Sequence, residues 1–461
     1  MTMPQADRRA QAPGTTRTAS LVRALKHRNY RLFFGGQIIS LTGTWMQSVA
    51  QSWLVYRLSG SSVLLGLVGF STQIPVFALA AVGGMVADRH SRHRILIFTQ
   101  STAMLLAFVL AALTLSARVA IWEIFVLATL LGVVNAFDIP ARQAFAVDMV
   151  GKADLINAIA LNSSMVNGAR VLGPALAGIL VASVGEGWCF LLNGVSYLAV
   201  IAGLLAMRLA PRKPAARHPP ALAHMGEGFR YVGRTRPVKA LLLLLGLISL
   251  SGMPYAVLMP IFAGRILHGG ARGLGILMAM AGAGALVGAL SLAARRHVHG
   301  LGGWIAGAAA GFGASLTLFS LSHWFWVSAF LLLPVGFFVM VQMAASNTLI
   351  QVMVPDALRG RVMAVYSMMF MGMAPFGALT AGMVAARFGA PRTVAAGGII
   401  CLIGAMAFAL FLPRLRGEVQ DLIVAQEMTG GEPAEEMTGR GLGAEFDRRR
   451  LSLQAQDTSR Q

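Results

Sequence analysis

The chain has 461 residues, of which 56% are hydrophobic and 12% charged, and its mean hydropathy is +0.68. So few polar side chains cannot cover a water-soluble globule, which excludes a soluble domain and puts the chain in a bilayer. The net charge of +20 does not mark a nucleic-acid binder, because the basic residues are dealt to alternate loops and gather in no basic domain.

Residues 1–31 read as a polar cytoplasmic segment; the first 20 hold two prolines and no apolar core, so no cleaved signal peptide is expected. A membrane span needs about 20 mostly apolar residues. Twelve such runs are expected, at 32–56, 62–86, 95–116, 120–137, 158–184, 189–207, 238–261, 274–294, 301–321, 324–344, 359–386 and 392–412. They divide six and six, giving a first bundle at 32–207, a linker at 208–236 and a second bundle at 237–413. Pro211, Pro214, Pro219 and Pro220 prevent a continuous helix through the linker. From 414 to 461 hydrophobicity collapses, the phrase from Glu427 to Gly430 returns from Glu436 to Gly439, and a mostly disordered cytoplasmic tail is expected.

Arg23, Lys26, Arg28 and Arg31 precede the first span, Arg89, Arg92 and Arg94 follow the second, and the linker and tail hold most of the remaining charge. Positive residues stay inside, so a multi-pass protein of a bacterial-type inner membrane with both termini cytoplasmic is expected. Cys189 and Cys401 fall within apolar spans as small hydrophobes, and the scattered histidines outline no metal site.

Shifted by 204 positions, the halves superpose without a gap. Of the 17 glycines between Tyr30 and Met207, ten land on another glycine, among them Gly66 on Gly270, Gly178 on Gly382 and Gly185 on Gly389. Arg92-His93 lands on Arg296-His297. Such duplication in an apolar chain points to a transporter whose binding site lies between two pseudo-symmetric bundles.

After the second span runs Gly84-Met-Val-Ala-Asp88-Arg89-His-Ser-Arg92-His-Arg94. Here the chain resembles the major facilitator superfamily, over about residues 25–413, with Ser91 and His93 departing from the usual pattern. The resemblance implies an all-α integral membrane protein of twelve helices in two six-helix bundles. It also implies a gate in which Asp88 caps the start of the eleventh span near Arg359 and Arg361, and Arg92 pairs with Asp138, beside Arg142. A topological anchor with solvated charges is the plainer alternative. The second half has Leu292 where the aspartate would be, so one half alone should form the latch.

The fifth span holds Asn167-Gly168-Ala-Arg170-Val-Leu-Gly173-Pro174-Ala-Leu-Ala-Gly178. It is similar to the glycine-proline motif of the superfamily's antiporters. Glycines so spaced make a groove for a neighbouring helix. Asp138-Ile-Pro140-Ala-Arg142-Gln143, Asn157 to Ser164, and Val354 to Arg361 look like the branch containing enterobactin (siderophore) exporters and macrolide efflux proteins.

Gln37, Ser40, Thr44, Gln47 and Gln51 recur at steps of three and four on one face of the first span. Lipid cannot satisfy these groups, so they should look into the bundle, lining a cavity or bonding between helices. Asn162, Asn167 and Arg170 from the fifth span and Gln342, Ser346 and Asn347 from the tenth are the other cavity candidates. Arg170 is expected to be the cavity's charged centre, meeting an anionic cargo oxygen or, when empty, an amide of Gln47 or Asn167. Arg118 and Glu123 are an expected outer ion pair. The methionines of the eleventh span, such as Met369 and Met373, suit adaptable cargo contacts or packing.

The expectation is a non-enzymatic, proton-driven antiporter with no cofactor. It would export a small amphipathic molecule such as a siderophore or drug by rocker-switch alternating access. Its partners are the bilayer, protons and that cargo, with no nucleic acid, and it acts as a monomer. An uptake facilitator of the same fold and a non-transporting membrane sensor or accessory protein are the alternatives.

Overall fold

A computed structural model describes residues 23–151, 153–208, 221–295 and 300–429, and among these the chain is all-helical with no strand. The linker prolines, Arg296-His297, and the tail beyond Thr429 lie outside the described residues. The first bundle comprises α1 (Arg28–Ser59), α2 (Ser62–Arg89), α3 (Arg92–Leu115), α4 (Ile121–Val150), α5 (Leu155–Val184) and α6 (Glu186–Leu205). A linker helix, Ala221–Arg234, leads to α7 (Arg236–Ile266), α8 (Gly270–Ala293), α9 (Leu301–Leu321), α10 (Phe325–Met353), α11 (Asp356–Phe388) and α12 (Ala390–Thr429). Helix is what a bilayer demands, since it satisfies every backbone donor and acceptor within the segment.

Eleven of these helices are long and apolar enough to cross a membrane. The exception is α1, which has 32 residues but carries the polar stripe that lowers its hydropathy. Its length and packing match the others; only its composition separates it from the expected twelve. α12 continues to Thr429, beyond the expected end of the last span, with Pro413 inside it.

Turns fall where the repeat puts them. Gly185 (φ 92°) separates α5 from α6 and Gly389 (φ 87°) separates α11 from α12, 204 positions apart, and both sit in the left-handed region that a side chain disfavours. On the linker side the N-terminus is tied down: Asn29 Nδ2 donates to the Arg208 carbonyl at 2.8 Å, and the Ala24 amide to Asn157 Oδ1 at 2.8 Å. Asp154, ahead of α5, meets His27 Nε2 at 2.8 Å and Arg23 Nε at 3.3 Å. The hydrogen bond from His27, helped by the Arg23 charge, holds the Asp154 carboxyl below its ordinary value.

The second bundle is less regular. π-turns interrupt α7 at Ile248–Gly252 and Phe262–Ile266, and α11 at Met368–Gly372, each close to a proline that cannot donate to the ladder. Two of them face each other: Ser249 Oγ, in the first π-turn of α7, donates to the Phe370 carbonyl in the π-turn of α11. The break divides α11 into a linker-side arm and a far-side half.

Candidate functional site

On the side away from the linker the halves meet backbone to backbone. A Cβ at Gly66 of α2 would lie 2.5 Å from the Ala378 carbonyl oxygen of α11, and one at Gly382 would lie 2.6 Å from that of Ser62. Ser62 Oγ also donates to the Gly382 carbonyl at 2.9 Å. α5 and α8 meet likewise, with Gly178 and Gly275 face to face and Gly282 against the Arg170 carbonyl oxygen, 2.7 Å from a built Cβ. The two contacts are images of each other under the 204-residue repeat.

On the linker side the facing bundle helices are apart, although the linker helix touches α2. α4 does not pack against α10, nor the linker-side arm of α11 against α2, among the described residues. Asn162, Ser163 and Ser164 of α5 are exposed there. The space between the halves therefore opens toward the linker and closes on the far side.

The gating residues adopt other partners than the sequence implied. Asp88 is 72% exposed, and its one ion-pair partner is Arg92, 3.6 Å away. It does not cap α11, whose first turn already carries Asp356, paired with Arg359. Arg359 Nε also donates to the Gln351 carbonyl at 3.1 Å, and Arg361 pairs with Glu227 of the linker helix. Arg89 is exposed. Arg92 does not meet Asp138: its Nη1 donates to the Ala144 carbonyl at 2.9 Å and to both Asp148 oxygens at 3.3 Å. Gly84 meets nothing, and the tight approach to α4 is made by Gly83 instead, against the Ala136 carbonyl.

Asp138 is buried in the first bundle, accepting from Thr99 Oγ1 at 2.9 Å, Gln100 Nε2 at 2.8 Å and the Arg142 guanidinium. The middle of the polar stripe of α1 also turns inward, toward α6. Gln47 accepts from Asn193 Nδ2 at 2.7 Å, and Thr44 Oγ1 lies 3.4 Å from the Tyr197 hydroxyl and donates to the Ser40 carbonyl at 2.9 Å. Gln37 and Ser40 are buried, and Gln37 Nε2 has no partner, while Gln51 is half-buried. Asn193 and Tyr197, which the sequence reading missed, are the receiving groups; a polar pair in the sixth span was the available signal. In α10, Gln342 donates to Ser346 Oγ at 3.3 Å and Asn347 accepts from Gln351. The expected Arg118–Glu123 pair is absent: Glu123 accepts from the Ala120 amide at the start of α4, and the far-side ion pair joins Arg57 to Glu186 at 2.7 Å.

In α5 the motif divides its work. Gly173 admits α1, with the Thr42 carbonyl oxygen 2.8 Å from a built Cβ, while Gly178 and the Pro174 carbonyl face Gly275 of α8. Gly168 touches nothing. Asn167 is spent on its own helix, donating to the Ser163 carbonyl at 2.9 Å. The Arg170 side chain reaches α1: its guanidinium lies over the Trp45 ring, 5.1 Å from the centroid. No group of three or more metal-ligating side chains occurs among the described residues.

A family model described as transmembrane secretion effector matches residues 19–441. The staphyloferrin A transporter of Staphylococcus aureus (strain NCTC 8325 / PS 47) is 27% identical over 395 residues, covering 85% of this chain and 98% of that protein. The enterobactin exporter EntS of Shigella boydii serotype 4 (strain Sb227) is 25% identical over 390 residues, 85% and 93% of the two chains. Among solved structures, the nucleoside transporter NupG superposes with a TM-score of 0.65 at 13% identity, covering 84% of this chain and 99% of that one. A bacterial homolog of the human lysosomal transporter Spinster, inward-facing and unoccupied, gives 0.62 at 16% identity, over 85% and 96%.

Proposed function

We propose, from the premise that this chain belongs to the transmembrane secretion effector family of the major facilitator superfamily, that it is a proton-driven exporter of a siderophore-like molecule. It is a multi-pass membrane transporter and not an enzyme. In this reading the linker and both termini face the cytoplasm, and the opening between the halves admits cargo from that side. The observation that carries the reading is the asymmetry between the two ends: backbone contact on the far side, separation on the linker side. Exchanging that asymmetry is what alternating access between two rigid bundles requires. The relatives that are a siderophore transporter and a siderophore exporter support the cargo class. One proton moving down 100 mV releases about 2.3 kcal/mol, enough for more than a tenfold gradient.

The test is proton release from acidified everted vesicles that contain the protein. Adding enterobactin or staphyloferrin A is expected to dissipate the pH gradient faster than in vesicles with the empty membrane. No response to either would remove proton-coupled siderophore export. Accumulation in right-side-out vesicles would reverse the direction.

A further inference from the structure

Arg170 stands near the midpoint of α5, where an unpaired charge costs at least roughly 2.5 to 3.5 kcal/mol. Such a charge is ordinarily retained with a partner. The two amides that could serve make other bonds, Gln47 Oε1 accepting from Asn193 and Asn167 Nδ2 donating to the Ser163 carbonyl, and neither oxygen accepts from Arg170. Arg170 Nε is buried without a hydrogen-bond partner, and no protein acceptor meets the guanidinium among the described residues. Arg170 is therefore not tied to α1 by a hydrogen bond, and its contact with that helix is the Trp45 ring.

What surrounds the guanidinium is aromatic. The Trp45 ring covers one face, brought close because Gly173 lets α1 approach α5. A desolvated cation–π contact contributes about 2 kcal/mol, but it satisfies none of the five N–H donors. A planar fork with free donors beside an indole fits a flat anion with two oxygens.

We infer that Arg170 and Trp45 form a binding site for the anionic end of the cargo, a carboxylate or catecholate carried on a flat, apolar group. The inference rests on the export reading for calling the ligand cargo, though binding itself does not depend on transport. The repeat supplies no second copy: the position equivalent to Arg170 is Ala374, so each chain should hold one such anion. The site also lies where α5 crosses α8, since the Arg170 carbonyl packs on Gly282, so an occupant touches the contact that must part when the far side opens.

The experiment measures binding of benzoate, salicylate and the neutral isostere benzamide to the purified full-length protein, together with thermal stability. Wild type should bind one benzoate, in preference to benzamide by about tenfold, the size of one charge-assisted contact. Arg170→Gln should abolish the preference, Arg170→Lys should keep part of it, and Trp45→Leu should weaken both ligands. Melting without ligand shows that Arg170→Gln and Trp45→Leu remain folded, so that a lost preference reports the site. An unchanged preference in Arg170→Gln, or none in wild type, overturns the site. Arg170-dependent binding without proton release from vesicles would instead overturn export and leave the site standing, whereas export of anionic cargo by Arg170→Gln at the wild-type rate would do the reverse.

Discussion

Asp138 and Arg142 are matched 204 positions later by Gln342 and Ser346, so a buried ion pair in one half stands where the other half keeps a neutral hydrogen-bonded pair. The two should respond very differently to truncation. Asp138→Ala leaves Arg142 and Gln100 without this acceptor and returns Thr99 to the Leu96 carbonyl, and breaking a buried pair in this way costs about 3 kcal/mol or more. Gln342→Leu forfeits one neutral bond inside a membrane bundle, which averages about 0.6 kcal/mol. Denaturation in detergent at constant pH should show a large loss for the first and a small one for the second; equal losses would contradict the partner assignment. Asp138, Arg142 and Arg170 were legible as functional candidates because a charge within an apolar run has few inexpensive explanations. Their partners were not. Asp138 and Asp148 share α4 about 15 Å apart along its axis, and only depth decides that Arg92 meets Asp148. The stripe of α1 was likewise legible as a face, but periodicity does not say what a face looks at, and here it is Asn193 and Tyr197 of the same bundle.

At the scale of elements, α11 is two rods joined by the π-turn Met368–Gly372, and the linker helix rides on the first of them. Gly228 of the linker helix lies against the Arg361 carbonyl oxygen, 2.9 Å from a built Cβ, and Glu227 pairs with the Arg361 side chain. The ion pair is half-exposed and contributes about 1 kcal/mol at most, so the close backbone approach is the stronger constraint. Glu227→Ala should therefore barely change transport, whereas Gly228→Val should displace the helix and impair it. A disulfide between cysteines at 227 and 361 should leave transport running, because the linker helix and the arm move together; arrest on cross-linking would show that they must separate. Pro254, Pro260 and Pro375 stand beside the π-turns, a signal for broken helices that the sequence carried and that went unread. The hydrogen bond from Ser249 to the Phe370 carbonyl, which joins two such breaks, left no local signal.

The whole molecule is two copies of one bundle design with unequal contents. Its duplication was legible because glycines are retained where backbones touch, as at Gly66, Gly178 and Gly382, and where a turn needs a positive φ, as at Gly185 and Gly389. Which end of the paired bundles stands open was not legible, since the same sequence must serve both arrangements. The central claim is that these ends exchange. Spin labels at cysteines replacing Ile156 and Ala294 report the linker side of the α5–α8 pair, and labels at Val184 and Arg272 report its far side. In proteoliposomes without a gradient, the first pair should be far apart and the second close. Imposing a pH gradient should populate a state in which the first distance shortens as the second lengthens. Two distances that stay fixed, or that grow and shrink together, would contradict alternating access in this chain.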